Sequence, residues 1–231
     1  MDYTKNQKYF NKKKPVVQLR NLGLVLIVCS IGAYIAGGSE VLPLHIAMII
    51  VGIVLLAISS GRSGISDSEY DSSVSGYAGS LSKTKALRKL GVDESEVNEI
   101  APIIMGGYDF KGANMFTEGE DKLWRSNVYK VIMLFFSRNE LYCYEARFKT
   151  TEDKMLGEST DVYFYQDIVS VSTASVSDTV KIKDKEVTIN SEAFRLTTKG
   201  GTSITVNILD AYQAEGSVNA MRALLREKKQ A

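Results

Sequence analysis

The stretch from Leu22 to Ser60 constrains this chain more than any other. It reads LGLVLIVCSIGAYIAGG, then SE, then VLPLHIAMIIVGIVLLAISS. Neither apolar run contains an Asp, Glu, Lys or Arg. A helix crosses a bilayer with about 20 mostly apolar residues, ~17 at the short end, and lipid offers its backbone no outside partner. The expectation is a membrane protein of class α+β. Its N-terminal transmembrane hairpin has spans at about 22–38 and 41–59, in the plasma (inner) membrane.

Charge sets the expected orientation. Lys5, Lys8, Lys12, Lys13, Lys14 and Arg20 precede the first run against Asp2 alone, and the turn carries Glu40. By the positive-inside rule both termini are cytoplasmic. The segment 1–21 is a basic arm in which Lys12, Lys13, Lys14 and Arg20 are candidates for contact with anionic headgroups. The long start and the second apolar run argue for an uncleaved anchor rather than a signal peptide. Gly32 and Ala36, and likewise Ala33 and Gly37, are small residues four apart, a spacing that lets helix backbones approach. They serve either the hairpin's own packing or an oligomer. His45, the single histidine, falls near the outer end of the second run, where hydration is expected.

The remaining residues limit function. The chain has 231 residues with 28 Lys and Arg against 27 Asp and Glu, so a net charge of +1 gives no reason to expect nucleic acid. Its two cysteines, Cys29 and Cys143, form no disulfide framework and are expected as buried small apolar residues. One histidine and two separated cysteines supply no zinc cluster. Gly106-Gly107 and Gly200-Gly201 lack the lysine and spacing of a phosphate loop. No enzyme, cofactor or small-molecule substrate is expected.

Residues 61–80, rich in Ser, Gly and acidic residues, are expected to form a flexible linker. In 81–125 two short helices are expected at 82–90 and 94–104, the second opened by an Asp93/Glu96 capping box. An irregular segment follows, with Tyr108, Phe110, Phe116 and Trp124 covering a core. From 126 the period becomes two. VYKVIMLFF (128–136) is a strand apolar on both faces, and LYCYEARF (141–148) is its partner across Ser137–Glu140. DVYFYQDIVSVST makes two strands or one bent strand. TVKIK and EVTIN flank a hairpin turn at Asp184-Lys185, and AFRLTT and TSITVNIL flank a type I′ turn at Gly200-Gly201. A C-terminal helix with Asp210 as N-cap carries the stripe Ala211, Ala214, Val218, Met221 and Leu225.

VYKVIMLFFSRNELYCY, the corner Asp167–Val171, the hairpin FRLTTKGGTSITVNI and the terminal helix together resemble the bacterial pleckstrin-homology-like domains over roughly residues 126–228. The resemblance implies a bent seven-stranded sheet plugged at one end by the helix, a fold that binds lipids, peptides or other subunits. Lipid-binding members use basic residues around the first hairpin. The residues here are Lys130, Arg138, Arg147 and Lys149, interleaved with Glu140 and Glu145, and the reading is a solvated surface. The functional expectation is a non-catalytic, membrane-tethered binding or scaffolding protein that self-associates. The alternatives are an accessory subunit of a membrane transporter or other complex, and an enzyme of unfamiliar type. Its expected partners are the lipid bilayer and a protein, a second copy included.

Overall fold

The computed structural model describes residues 1–11, 17–35, 42–59, 65–81, 83–182, 184–208 and 211–230. They fall into two compact units, Met1–Phe10 with Asp67–Ala231, and Asn11–Ser66. Helix α1 (Tyr3–Phe10) belongs to the first, and α2 (Val17–Ile35) and α3 (Leu42–Ser59) form the second.

The smaller unit is a helical hairpin closed by glycine. A Cβ on Gly23 would lie 2.8 Å from the Gly52 carbonyl oxygen, and one on Gly52 would lie 2.6 Å from Ile27 Cγ1. The Ser30 hydroxyl donates to the His45 carbonyl at 2.8 Å. His45 is buried rather than hydrated, its ring edge-on to Tyr34 with centroids 6.2 Å apart.

Helix α2 has 19 residues but opens with Gln18, Arg20 and Asn21, leaving Leu22–Ile35 as its apolar part. Helix α3 has 18 residues. At 1.5 Å per residue these apolar lengths are about 21 and about 27 Å, below the ~30 Å of a hydrocarbon core. The apolar sequence continues through 36–38 and begins at 41, outside the described residues. Among the described residues no helix is long and apolar enough to cross a membrane. This corrects the membrane fold class, the two transmembrane spans, and the inner-membrane placement with cytoplasmic termini. The described residues form a mixed fold of six α-helices and antiparallel sheets.

After α1 the larger unit resumes at Asp67, where the flexible linker was expected. Helix α4 (Asp67–Ser80) buries Tyr70, Val74 and Ala78. Asp67 and Glu69 in its first turn suit the helix dipole. Its propensity is poor, so the packing of that face holds it. Helix α5 (Lys83–Leu90) matches the first expected short helix. The second shrinks to a 3-10 turn, Glu94–Glu96, although the Asp93 N–H does donate to Glu96 Oε1 at 3.3 Å. The chain leaves that turn for Pro102 and a strand instead of a helix.

That strand, β1 (Ile103–Tyr108), joins β4 (Val128–Phe136), β5 (Glu140–Lys149) and β6 (Met155–Phe164) in one antiparallel sheet ordered β1-β4-β5-β6. Between β1 and β4 the short pair β2 (Phe116–Glu118) and β3 (Trp124–Ser126) forms its own hairpin. A 3-10 corner at Tyr165–Asp167 turns the chain into β7 (Ile168–Ile182), β8 (Lys185–Thr198) and β9 (Ser203–Ile208), the second sheet. Asp184 takes φ 64° at the β7–β8 turn. In the β8–β9 turn only Gly201 has positive φ, 80°, so the I′ geometry, which needs it at both central residues, does not form.

The core lies between the sheets and under α6 (Ala211–Gln230). Ile132, Leu134 and Phe136 of β4 meet Phe194, Leu196, Val206, Val218, Met221 and Leu225 there. Asp210, the expected N-cap, lies outside the described residues. The sheets also meet where β1 approaches β9. A Cβ on Gly107 would overlap the Asn207 carbonyl oxygen, and the Asn207 amide donates to the Tyr108 carbonyl at 2.8 Å.

Two substitutions check this architecture. Met221→Asp buries an unpaired charge under α6 and should cost more than about 4 kcal/mol, abolishing the cooperative thermal transition. Gly107→Ala should cost about 3 kcal/mol through backbone overlap at the β1–β9 closure, read as a lower midpoint in urea.

Candidate functional site

Arg125 sits on β3 with only 1% of its surface exposed. Its Nε and Nη2 donate to Asp71 at 2.8 and 2.6 Å. Nη1 and Nη2 donate to Asp121 at 2.9 and 2.7 Å, and Nη1 also reaches the Leu123 carbonyl at 3.1 Å. All five N–H donors of the guanidinium are thereby used. Burial pulls the Arg125 pKa down, but the Asp71 and Asp121 carboxylates overcome this and raise it, while Arg125 holds Asp121 below the usual carboxylate range.

An aromatic stack runs beside this network. Tyr70 lies against Tyr9 at 4.1 Å and against Tyr108 at 5.7 Å, both nearly parallel. The Tyr108 hydroxyl donates to Asp71 at 2.7 Å and the Tyr9 hydroxyl to Asp67 at 2.8 Å. Burial pushes the Tyr70 and Tyr108 hydroxyls well up. The cluster bonds internally and fastens α1 and α4 to the strands.

A cavity of about 310 Å³ opens between the β2–β3 hairpin and the second sheet. Phe110, Leu123 and Trp124 line one side, and Ile189, Ser191 and Glu192 of β8 line the other. The Ser175 hydroxyl donates to Glu192 Oε1 at 2.6 Å. The Ser191 hydroxyl is buried with no hydrogen-bond partner among the described residues.

Three of the four basic residues picked from the first hairpin are paired one by one. Lys130 and Arg147 lie directly opposite each other across β4 and β5. Lys130 bonds Glu145 at 2.8 Å, Arg147 bonds Asp109 at 2.5 Å, and Lys149 pairs with Glu152. Arg138 is exposed in the β4–β5 turn, away from the others. Arg20 is exposed on α2, while Lys12, Lys13 and Lys14 lie outside the described residues, as do Ala36 and Gly37. Gly32 and Ala33 are exposed, and nothing lies within 4 Å of a Cβ built on Gly32. The close contact of the hairpin therefore uses Gly23 and Gly52, which sequence spacing did not single out.

Most of the exposed large hydrophobic residues among the described residues lie on the hairpin. Both helices carry exposed large side chains, including Val28 (67%) and Ile35 (77%) on α2 and Leu44, Ile50 and Ile53 on α3. Isolated exposed apolar residues are ordinary, whereas a contiguous set marks an interaction surface. Among the described residues no group of His, Cys, Asp and Glu has metal-binding geometry. Compared with protein-family models and with curated proteins, the chain matches none.

The ionic ties yield two checks. Arg125→Met leaves Asp71 without its bidentate partner, and Asp71 is partly exposed. The loss should fall near the lower end for a broken buried pair, about 3 kcal/mol by urea unfolding. Lys85, Lys89 and the Tyr144 hydroxyl hold the Glu158 carboxyl down from 4.5 to about 2. A depressed carboxylate stabilises above its unfolded pKa and stops doing so as pH falls through the folded one. Glu158→Gln should therefore lower the thermal midpoint near neutrality, and the difference from the parent should vanish as pH falls from about 4.5 to about 2.

Proposed function

We propose that this chain is a non-catalytic binding or scaffolding protein that assembles with a second copy of itself through its apolar hairpin. The observation that carries the reading is the exposed apolar surface on both α2 and α3. Burying such surface gains about 25 cal/mol per Å², so an apolar partner is strongly favoured over water. The open space at Gly32 supports helix-to-helix contact there, because Gly32 is not consumed by the hairpin's own closure. The two antiparallel sheets packed under a C-terminal helix are compatible with a binding module of the pleckstrin-homology-like kind, although only six of the longer strands, β4 to β9, fall within residues 126–228.

The test is the particle mass of the full chain in mild detergent, measured with the thermal unfolding of the larger unit. The parent should be oligomeric. Gly32→Leu should lower the mass without moving the unfolding transition, since its side chain enters open space. Gly23→Leu should instead disrupt the hairpin itself. A parent that is already monomeric and enters lipid vesicles as a monomer overturns the proposal. An oligomer unaffected by Gly32→Leu also overturns it, because association then runs through another surface.

A further inference from the structure

We propose that the cavity beside Trp124 is the anchor pocket of a peptide-docking edge on β8, and that its occupant is an extended peptide presenting an arginine. The inference rests on the reading of the chain as a binding module, and not on association through the hairpin.

The strand pattern places the edge. On one side β8 pairs with β7 along its length, down to Lys185 opposite Ile182. On the other side β9 pairs only as far as Glu192 opposite Ile208. Residues 185–191 of β8 therefore have one edge without a strand partner among the described residues. Such an edge carries a row of N–H and C=O groups ready to pair with an added strand. The cavity lies at that edge, not over one face. Ile189 and Ser191 point to one side of β8 and Asn190 and Glu192 to the other, yet all four line it.

The lining chooses the side chain. Glu192 is the sole charged residue among those that line the cavity, and Trp124 and Phe110 supply aromatic surface. A planar guanidinium stacks on an aromatic face and pairs with a carboxylate, so arginine satisfies both features at once. A volume of about 310 Å³, at the small end for a ligand pocket, has room for one long side chain. An incoming strand alongside 185–191 would continue the sheet past the end of β9.

Trp124 is the single tryptophan, so its fluorescence reports this pocket alone. The full chain is titrated with the capped peptide acetyl-Thr-Val-Arg-Val-Thr-amide. Further titrations use the same peptide with norleucine for arginine, the same peptide N-methylated at alternate amides, and arginine amide. The arginine peptide should give a saturable change. Norleucine should weaken it about tenfold, and N-methylation should abolish it by removing strand donors. Glu192→Gln, which keeps the hydrogen bond from Ser175, should weaken the arginine peptide about tenfold and leave the norleucine peptide unchanged. Equal binding of the arginine and norleucine peptides overturns the anchor, in the parent alone and whatever the variant does. Arginine amide binding as tightly as the peptide, or an N-methylated peptide that binds normally, overturns the strand pairing. No saturable change overturns both. A failed titration leaves the particle mass of the hairpin assembly untouched, so the two proposals fail separately.

Discussion

Strand β4 is apolar on both faces, and the larger unit is built to answer that. Its burial is nearly continuous from Val128 to Phe136. Alternation sends Ile132, Leu134 and Phe136 into the core under α6, and sends Tyr129, Val131, Met133 and Phe135 to the opposite side. A sheet with one wet face would leave the second set in water. Here the second face is dry because α4 and α5 lie over it, with Tyr77 of α4 edge-on to Phe148 at 4.9 Å and Tyr70 of α4 stacked on Tyr108 at 5.7 Å. The first helices of the unit are thus a second layer of its sandwich.

A covering helix rich in serine has little intrinsic stability, and the Arg125 network supplies what propensity does not. Asp71 on α4 and Asp121 in the β2–β3 hairpin converge on one guanidinium, and Asp67 accepts from the Glu120 N–H at 2.7 Å. Buried ion pairs add little net stability against an apolar replacement, but breaking one strands a charge. Their effect is to admit one docking of α4 and penalise others. The same geometry fixes the β2–β3 hairpin in place. A Cβ on Gly119 would strike the Arg125 guanidinium, and that hairpin carries Leu123 and Trp124 to the cavity. Arg125 thus ties α4 to the hairpin that carries two of the cavity's lining residues.

The hairpin of α2 and α3 obeys a different rule. It has internal closure at Gly23 and Gly52, yet its outer residues remain apolar and exposed. That exposed perimeter is what the proposed self-association would bury. The proposed self-association and the proposed peptide edge use separate surfaces, as a scaffold joining more than one component would.

Local pattern determined the elements with strong periodicity. The strands β4 and β5, the β8–β9 hairpin and the helix α6 with Val218, Met221 and Leu225 follow from period and apolar content in the sequence, whereas β7 and β8 are each one long strand where separate shorter ones were expected. The two-sided character of VYKVIMLFF even announced that a second cover was needed. The identity of that cover was written more faintly, as Tyr70, Val74, Tyr77, Ala78 and Leu81 at helical spacing among serines and glycines. Tertiary structure decided that this segment is helix, that Ile103–Tyr108 is a strand, and that Lys130, Arg147 and Lys149 are each neutralised by their own carboxylate. The physical reason is that periodicity records which face a segment buries. Arg125 meeting Asp71, or β9 stopping at Ile208 to leave an edge on β8, depends on residues far apart in sequence. Such contacts exist only once the chain has closed on itself.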